Sequence, residues 1–136
     1  MERQERALSD NLRVLNALST PGAHLFLMKG TGTAANCTAY ALIVENSKIV
    51  LIANNLPKLD EKRQFQFWVI RKEEPKTVSA GMFTPGDDNR VVLEFEDPSL
   101  ISNISLIQVT DEPRGGSSEP TGPKLLSVSL DSSTEH

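Results

Sequence analysis

The sequence predicts an all-β domain: a mostly antiparallel sandwich or partly open barrel of seven to eight strands, preceded by one N-terminal helix. Three observations carry that expectation. In Gln64–Ile70, Phe65, Phe67 and Val69 alternate with Gln64, Gln66 and Trp68, the period of two that a half-buried strand imposes. Further short apolar segments flank it on both sides, with turn signals every 8–15 residues. No helical periodicity separates those segments, so the crossover helices that a parallel sheet requires are not available.

The chain opens on its one helical segment. Leu8, Leu12, Leu15 and Leu18 fall at spacings of 4, 3 and 3 within residues 2–18, which places them on one stripe. Glu2 and Glu5 stand where the helix dipole favours negative charge. Pro21-Gly22 ends the segment, because proline lacks the amide that a continuing helix needs. Such a stripe packs on its own domain, or else serves as a stalk or as the seam of a homodimer.

The strands then follow in order. His24–Lys29 closes at Gly30-Thr31-Gly32, and Thr38–Glu45 and Lys48–Ala53 are joined by the hairpin signal Asn46-Ser47. Gln64–Ile70 follows the charged loop Asp60–Arg63. Thr77–Phe83 exits at Pro85–Asn89, Val91–Phe95 at Asp97-Pro98, and Ser105–Thr110 at the Gly-, Pro- and Ser-rich segment Asp111–Pro123. Lys124–Leu130 is the last strand, and residues 131–136 form a polar tail expected to be disordered. The organisation expected is a helix in 1–22, one β domain in 23–130, and the tail.

At 136 residues the chain is one domain by length, large enough to bury a core without metals or disulfides. A net charge of −4, with no Lys/Arg run longer than two, argues against a nucleic-acid partner. Cys37 is the single cysteine, so no internal disulfide forms, and its surroundings suit a quiet strand cysteine better than a nucleophile. No apolar run of roughly 18 residues appears that would span a membrane, and the charged N-terminus lacks a signal-peptide core.

The search for chemistry is brief. His24 and His136 are the only histidines, and the second lies past the last strand, so neither a zinc site nor a Ser-His-Asp relay assembles. His24, at the edge of an apolar strand, reads as a structural histidine. Asp87-Asp88-Asn89 lacks the spacing of a calcium loop and reads as a solvated turn. Glu94 and Glu96 share a strand face as outward charges. Gly30-Thr31-Gly32 and Gly115-Gly116 lack the contexts of nucleotide-binding loops. No catalytic residue, cofactor or metal is expected. The segment Glu112–Pro123 stands apart: three prolines hold it semi-rigid, as a shaped recognition loop or a site for a regulatory protease.

These residues bring a family into view. Leu56-Pro57 leading into Phe65–Ile70, followed by Val78–Phe83, resembles the C-terminal domain of bacterial anti-sigma-K factors. The family's strand reads Tyr-Gln-Leu-Trp-Leu-Ile, followed by Val-Ser-Ala-Gly-x-Phe; Phe65 and Phe67 replace its Tyr and first Leu, both acceptable in a core strand. Glu112-Pro113-x-Gly115-Gly116-Ser117 and Pro120-Thr121-Gly122-Pro123 resemble its loop before the final strand. Order and spacing agree over roughly His24–Leu130.

The resemblance implies an extracytoplasmic sensory or regulatory domain of a membrane-anchored anti-sigma factor, acting through regulated proteolysis and not as an enzyme. The cytoplasmic sigma-binding region and the membrane helix of such proteins are not among these residues. On that reading residues 1–22 are the juxtamembrane stalk, and a sigma factor is reached only through the cytoplasmic region. The expected partners are a regulatory protease or another extracytoplasmic protein, with a homodimer through the N-terminal helix as a further one. The expected interaction surface comprises Gln66, Trp68, Glu112, Gly115, Gly116 and Thr121. A second reading is a ligand-binding β-module, for instance for cell-wall carbohydrate, with Trp68 and Tyr40 as its aromatic contacts. Gln66, polar beside Trp68 on the strand's alternate face, is expected to brace the fold through hydrogen bonds to the backbone of the Pro/Gly loop.

Overall fold

Alternation along the sequence becomes alternation across one strongly curved sheet. The computed structural model describes Asn16 and residues 19–44, 47–72, 77–86, 88–96 and 103–130. The strands are β1 (Ala23–Gly30), β2 (Thr38–Val44), β3 (Lys48–Asn54), β4 (Arg63–Arg71), β5 (Thr77–Phe83), β6 (Val91–Phe95), β7 (Ile104–Pro113) and β8 (Lys124–Ser129). They form an 8-stranded sheet in the order β5-β4-β7-β8-β1-β2-β3-β6. Every pairing among them is antiparallel. The fold is all-β and barrel-like, as the sequence predicts.

The sheet nearly closes. Phe67 of β4 stacks on Phe95 of the edge strand β6, with ring centroids 4.6 Å apart. A Cβ on Gly81 of β5, the opposite edge, would stand 3.5 Å from that same Phe95 ring. Register shifts at Phe67/Trp68, Ile70/Arg71 and Val109/Thr110 supply the bends, since an extra residue on one strand kinks it and raises its twist. β1 makes the corner: Ala23–Met28 pair with β2, while Lys29 and Gly30 pair with β8.

Inside, β4 contributes Phe65, Phe67 and Val69, and β2 contributes Ala39, Ala41 and Ile43. Small alanines facing large rings fill the interior of a barrel of this strand number. Phe65 also stacks on Phe83 of β5, with centroids 5.3 Å apart.

Four expectations need revision or fall elsewhere. The strand expected to end at Thr110 continues to Pro113, because Asp111, Glu112 and Pro113 pair with Phe65, Gln64 and Arg63 of β4. Asp, Glu and Pro are poor strand formers, but an ion pair of 2.7 Å between Arg63 and Asp111 helps hold the extension, and Pro113 is tolerated at the strand's last position. His24 is exposed on β1 and does not brace the core. The helix expected over 2–18 lies outside the described residues except for Asn16, which is helical, and the tail at 131–136 also lies outside them.

Candidate functional site

On the outer face of β4, the residues between the core phenylalanines are also buried. Trp68 is 0% exposed and Gln66 3%. Antiparallel pairing sets Gln66 opposite Thr110 and Gln64 opposite Glu112. Thr110 and Glu112, two apart on β7, therefore share that outer face with the β4 side chains. The segment 114–123 folds back over Gln66 and Glu112.

The result is a hydrogen-bonded relay. The Trp68 indole N–H donates to Thr110 Oγ1 at 2.7 Å, and the Thr110 hydroxyl donates to Glu112 Oε2 at 2.6 Å. The Ser117 and Thr121 hydroxyls donate to Glu112 Oε1, at 2.9 and 2.5 Å. The backbone N–H groups of Thr121 and Gly122 donate to Oε2, at 3.0 and 3.1 Å. Glu112 is 0% exposed, so one buried carboxylate gathers three hydroxyls and two amides. Burial alone raises its pKa, but the bonds from Thr110, Thr121 and Gly122 outweigh that and hold the carboxyl at about 2, against an ordinary 4.5. Among the described residues no buried side-chain nitrogen or oxygen is left without a partner.

Gln66 closes a second set of bonds. Its amide donates to Ser79 Oγ of β5 at 2.8 Å and to the Ser117 carbonyl at 3.1 Å, and its Oε1 accepts from the Ser117 N–H at 2.9 Å. The bond to loop backbone is the brace that the alternate-face glutamine predicts. Gln66→Leu is expected to lower stability by about 2 kcal/mol, because three bonds of the buried amide are lost and the half-buried Ser117 backbone groups lose their partner. Thermal denaturation checks it; an unchanged melting temperature would show that the bonds contribute nothing.

Two glycines let the loop lie this close. Gly116 has φ +87°, and a side chain there would run into Met82 and Gln66. Gly122 sits against the Asp111 carbonyl, where any Cβ would overlap it. The loop ends are pinned by Arg114 N–H to the Lys62 carbonyl at 2.8 Å and Asp111 N–H to the Pro123 carbonyl at 3.2 Å.

The structure gathers all six expected site residues in one place, at different depths. Gln66, Trp68 and Glu112 lie beneath the surface, Gly116 is half-buried, and Gly115 and Thr121 are exposed. Of the six, only Gly115 and Thr121 are open to solvent. Trp68 presents no ring face to solvent, so the Trp68–Tyr40 pair makes no stacking platform for a sugar. Sequence reasoning missed Thr110, Ser117 and Gly122 as members of the relay. The available signal was Thr110 two residues before Glu112, which shares a face only once the strand is read through to Pro113.

Elsewhere, Cys37 is half-buried against the core, and burial pushes its thiol up, away from the reactive thiolate. Glu94 of β6 pairs with Lys48 of β3 at 3.6 Å. Among the described residues no cluster of three or more His, Cys, Asp or Glu could hold a metal ion, and no helix is long and apolar enough to cross a membrane.

Fold and site together define a small antiparallel barrel-like domain whose Gly/Pro loop is fastened to the sheet by a buried carboxylate. The family model described as "Anti-sigma-K factor rskA, C-terminal" matches residues 1–124, and the chain belongs to that family. The match includes β4, the whole of the 112–123 loop and the N-terminal segment, and it reaches the first residue of β8. No curated protein and no solved structure matches the chain. The domain is thus an anti-sigma factor domain, of a regulatory family whose partners include sigma factors.

Proposed function

We propose that this domain is the extracytoplasmic sensory part of a membrane-anchored anti-sigma factor, and that it makes proteolysis of the anchor conditional. The observation that carries the reading is the family match over residues 1–124, which spans both the barrel strands and the N-terminal segment. The physics fits: a fastened loop and a satisfied buried network give a compact body that proteases cut slowly, since cleavage needs local opening. A sigma factor is bound by the cytoplasmic region, while this domain answers to a regulatory protease or another extracytoplasmic protein through the exposed rim of the 114–123 loop.

The test uses the anchored protein and a sigma-dependent transcriptional reporter. Deleting residues 23–130 is expected to release the sigma factor without a signal and raise basal transcription at least tenfold. The 136-residue chain alone is expected to show no sigma-factor binding by calorimetry. A silent reporter after the deletion, or tight binding by the isolated chain, would contradict the division of roles.

A further inference from the structure

The outer face of β1, β2, β3 and β6 has an apolar centre where an outer barrel face should be polar, with the Lys48–Glu94 ion pair beside it. Pairing aligns Leu25, Leu42, Val50 and Glu94 in one row, and Leu27, Tyr40, Ile52 and Val92 in the next, with Glu94 held by Lys48 at 3.6 Å on the β3–β6 side. Leu42, Val50 and Val92 form a buried cluster of their own, separate from the interior, with Ala23 and Ile52 packed against it. Leu42 and Val50 are 0% exposed, while Leu25 and Leu27 in the same rows are 50% and 65% exposed. Side chains that point away from the barrel interior reach full burial only under a cover beyond their own strands. Among the described residues the cluster contains side chains of these four strands alone.

The chain supplies a cover of fitting length. Residues 2–18 carry Leu8, Leu12, Leu15 and Leu18 on one stripe; as a helix they span about 25 Å, enough to cross four strands spaced about 4.8 Å apart. Their exit is visible: the Ser19 and Thr20 hydroxyls donate to the Asn16 carbonyl at 2.9 and 3.0 Å. Then Pro21 and Gly22, with φ +86° at the glycine, turn the chain, and the Ala23 N–H bonds the Thr20 carbonyl at 3.2 Å. Pro followed by a positive-φ Gly is a reversal, so the chain changes direction between Thr20 and Ala23. Ala23, the first residue after the turn, already packs against the cluster.

We propose that residues 2–18 dock their leucine stripe on this face, centred on Leu42 and Val50, so that the barrel masks the segment joining it to the membrane anchor. The docking follows from the face and the turn; its regulatory meaning rests on the function proposed above. Unmasking the stalk then requires the helix to leave the barrel, or the barrel to loosen.

Methyl NOEs in the 136-residue chain test the docking without any sigma factor or membrane. They are expected between Leu12 or Leu15 and Leu42 or Val50, within one chain, at dilutions where the protein sediments as a monomer. Contacts seen only between differently labelled chains would assign the face to a second copy, and their absence would overturn the proposal outright. Masking has its own readout, limited proteolysis: Leu12→Asp with Leu15→Asp is expected to speed cleavage within residues 1–22 at least tenfold while the barrel fragment persists. An unchanged rate would overturn it. Failure of the reporter experiment with the NOEs present would instead remove the function and leave the docking standing.

Discussion

Glu112→Gln is expected to lower stability by about 3 kcal/mol at pH 7 and to abolish most of the domain's acid sensitivity. The carboxyl falls from 4.5 to about 2 on folding, and each tenfold change in proton affinity is worth about 1.4 kcal/mol. Because the folded value lies below the unfolded one, this stability is fully present above about pH 4.5 and is lost as pH falls toward 2. Glutamine keeps the volume but puts an amide NH2 among the hydroxyl and amide donors that the carboxylate accepts, so at least one donor is left facing another. Urea denaturation at pH 7, 5, 3 and 2 checks both halves. The wild-type and variant curves should converge as pH approaches 2; a constant gap over that range would show that the carboxylate charge is not what the loop relies on.

Gly122→Ala is the second large expectation. Its Cβ would overlap the Asp111 carbonyl, and neither party can turn aside: one is the backbone of β7 paired to β4, the other follows the Thr121 amide bound to Glu112. The loop must lift, and the bonds from Thr121 and Gly122 to the carboxylate are lost with it. The cost is about 3 kcal/mol, from overpacking plus bonds unmade, and should lower the melting temperature by roughly 10 °C. Gly115 is the matched control. It has φ +96° but open space around it, so alanine there meets backbone strain alone, about 1 kcal/mol. Equal losses at the two positions would mean that the close approach at 122 is not what matters.

Much of this fold is written in local pattern. Phe65, Phe67 and Val69 point inward because strand geometry leaves them no choice, and the same alternation located most of the other strands closely. β7 was the exception: Asp111-Glu112-Pro113 reads as a turn by propensity, and only pairing with β4 makes it strand. The site was legible in part. A glutamine on the alternate face of the most aromatic strand calls for partners, and Gln66 finds them at Ser79 and Ser117. The role of Glu112 was not legible, since its donors come from positions 110, 117, 121 and 122, which only the folded-back loop brings together. Alternation tells which face a side chain takes; it does not tell whether a loop will cover that face. Trp68, which looked available to a ligand, is buried and bonded to Thr110.

The central claim is that one buried carboxylate makes the 114–123 loop part of the barrel. Amide hydrogen exchange at Thr121 and Gly122 tests it most directly. In the wild-type domain both amides should exchange only on global unfolding, with the protection of core β4 amides, and in Glu112→Gln they should exchange at least a hundredfold faster while β4 stays protected. Free exchange of both amides in the wild-type protein would contradict the account.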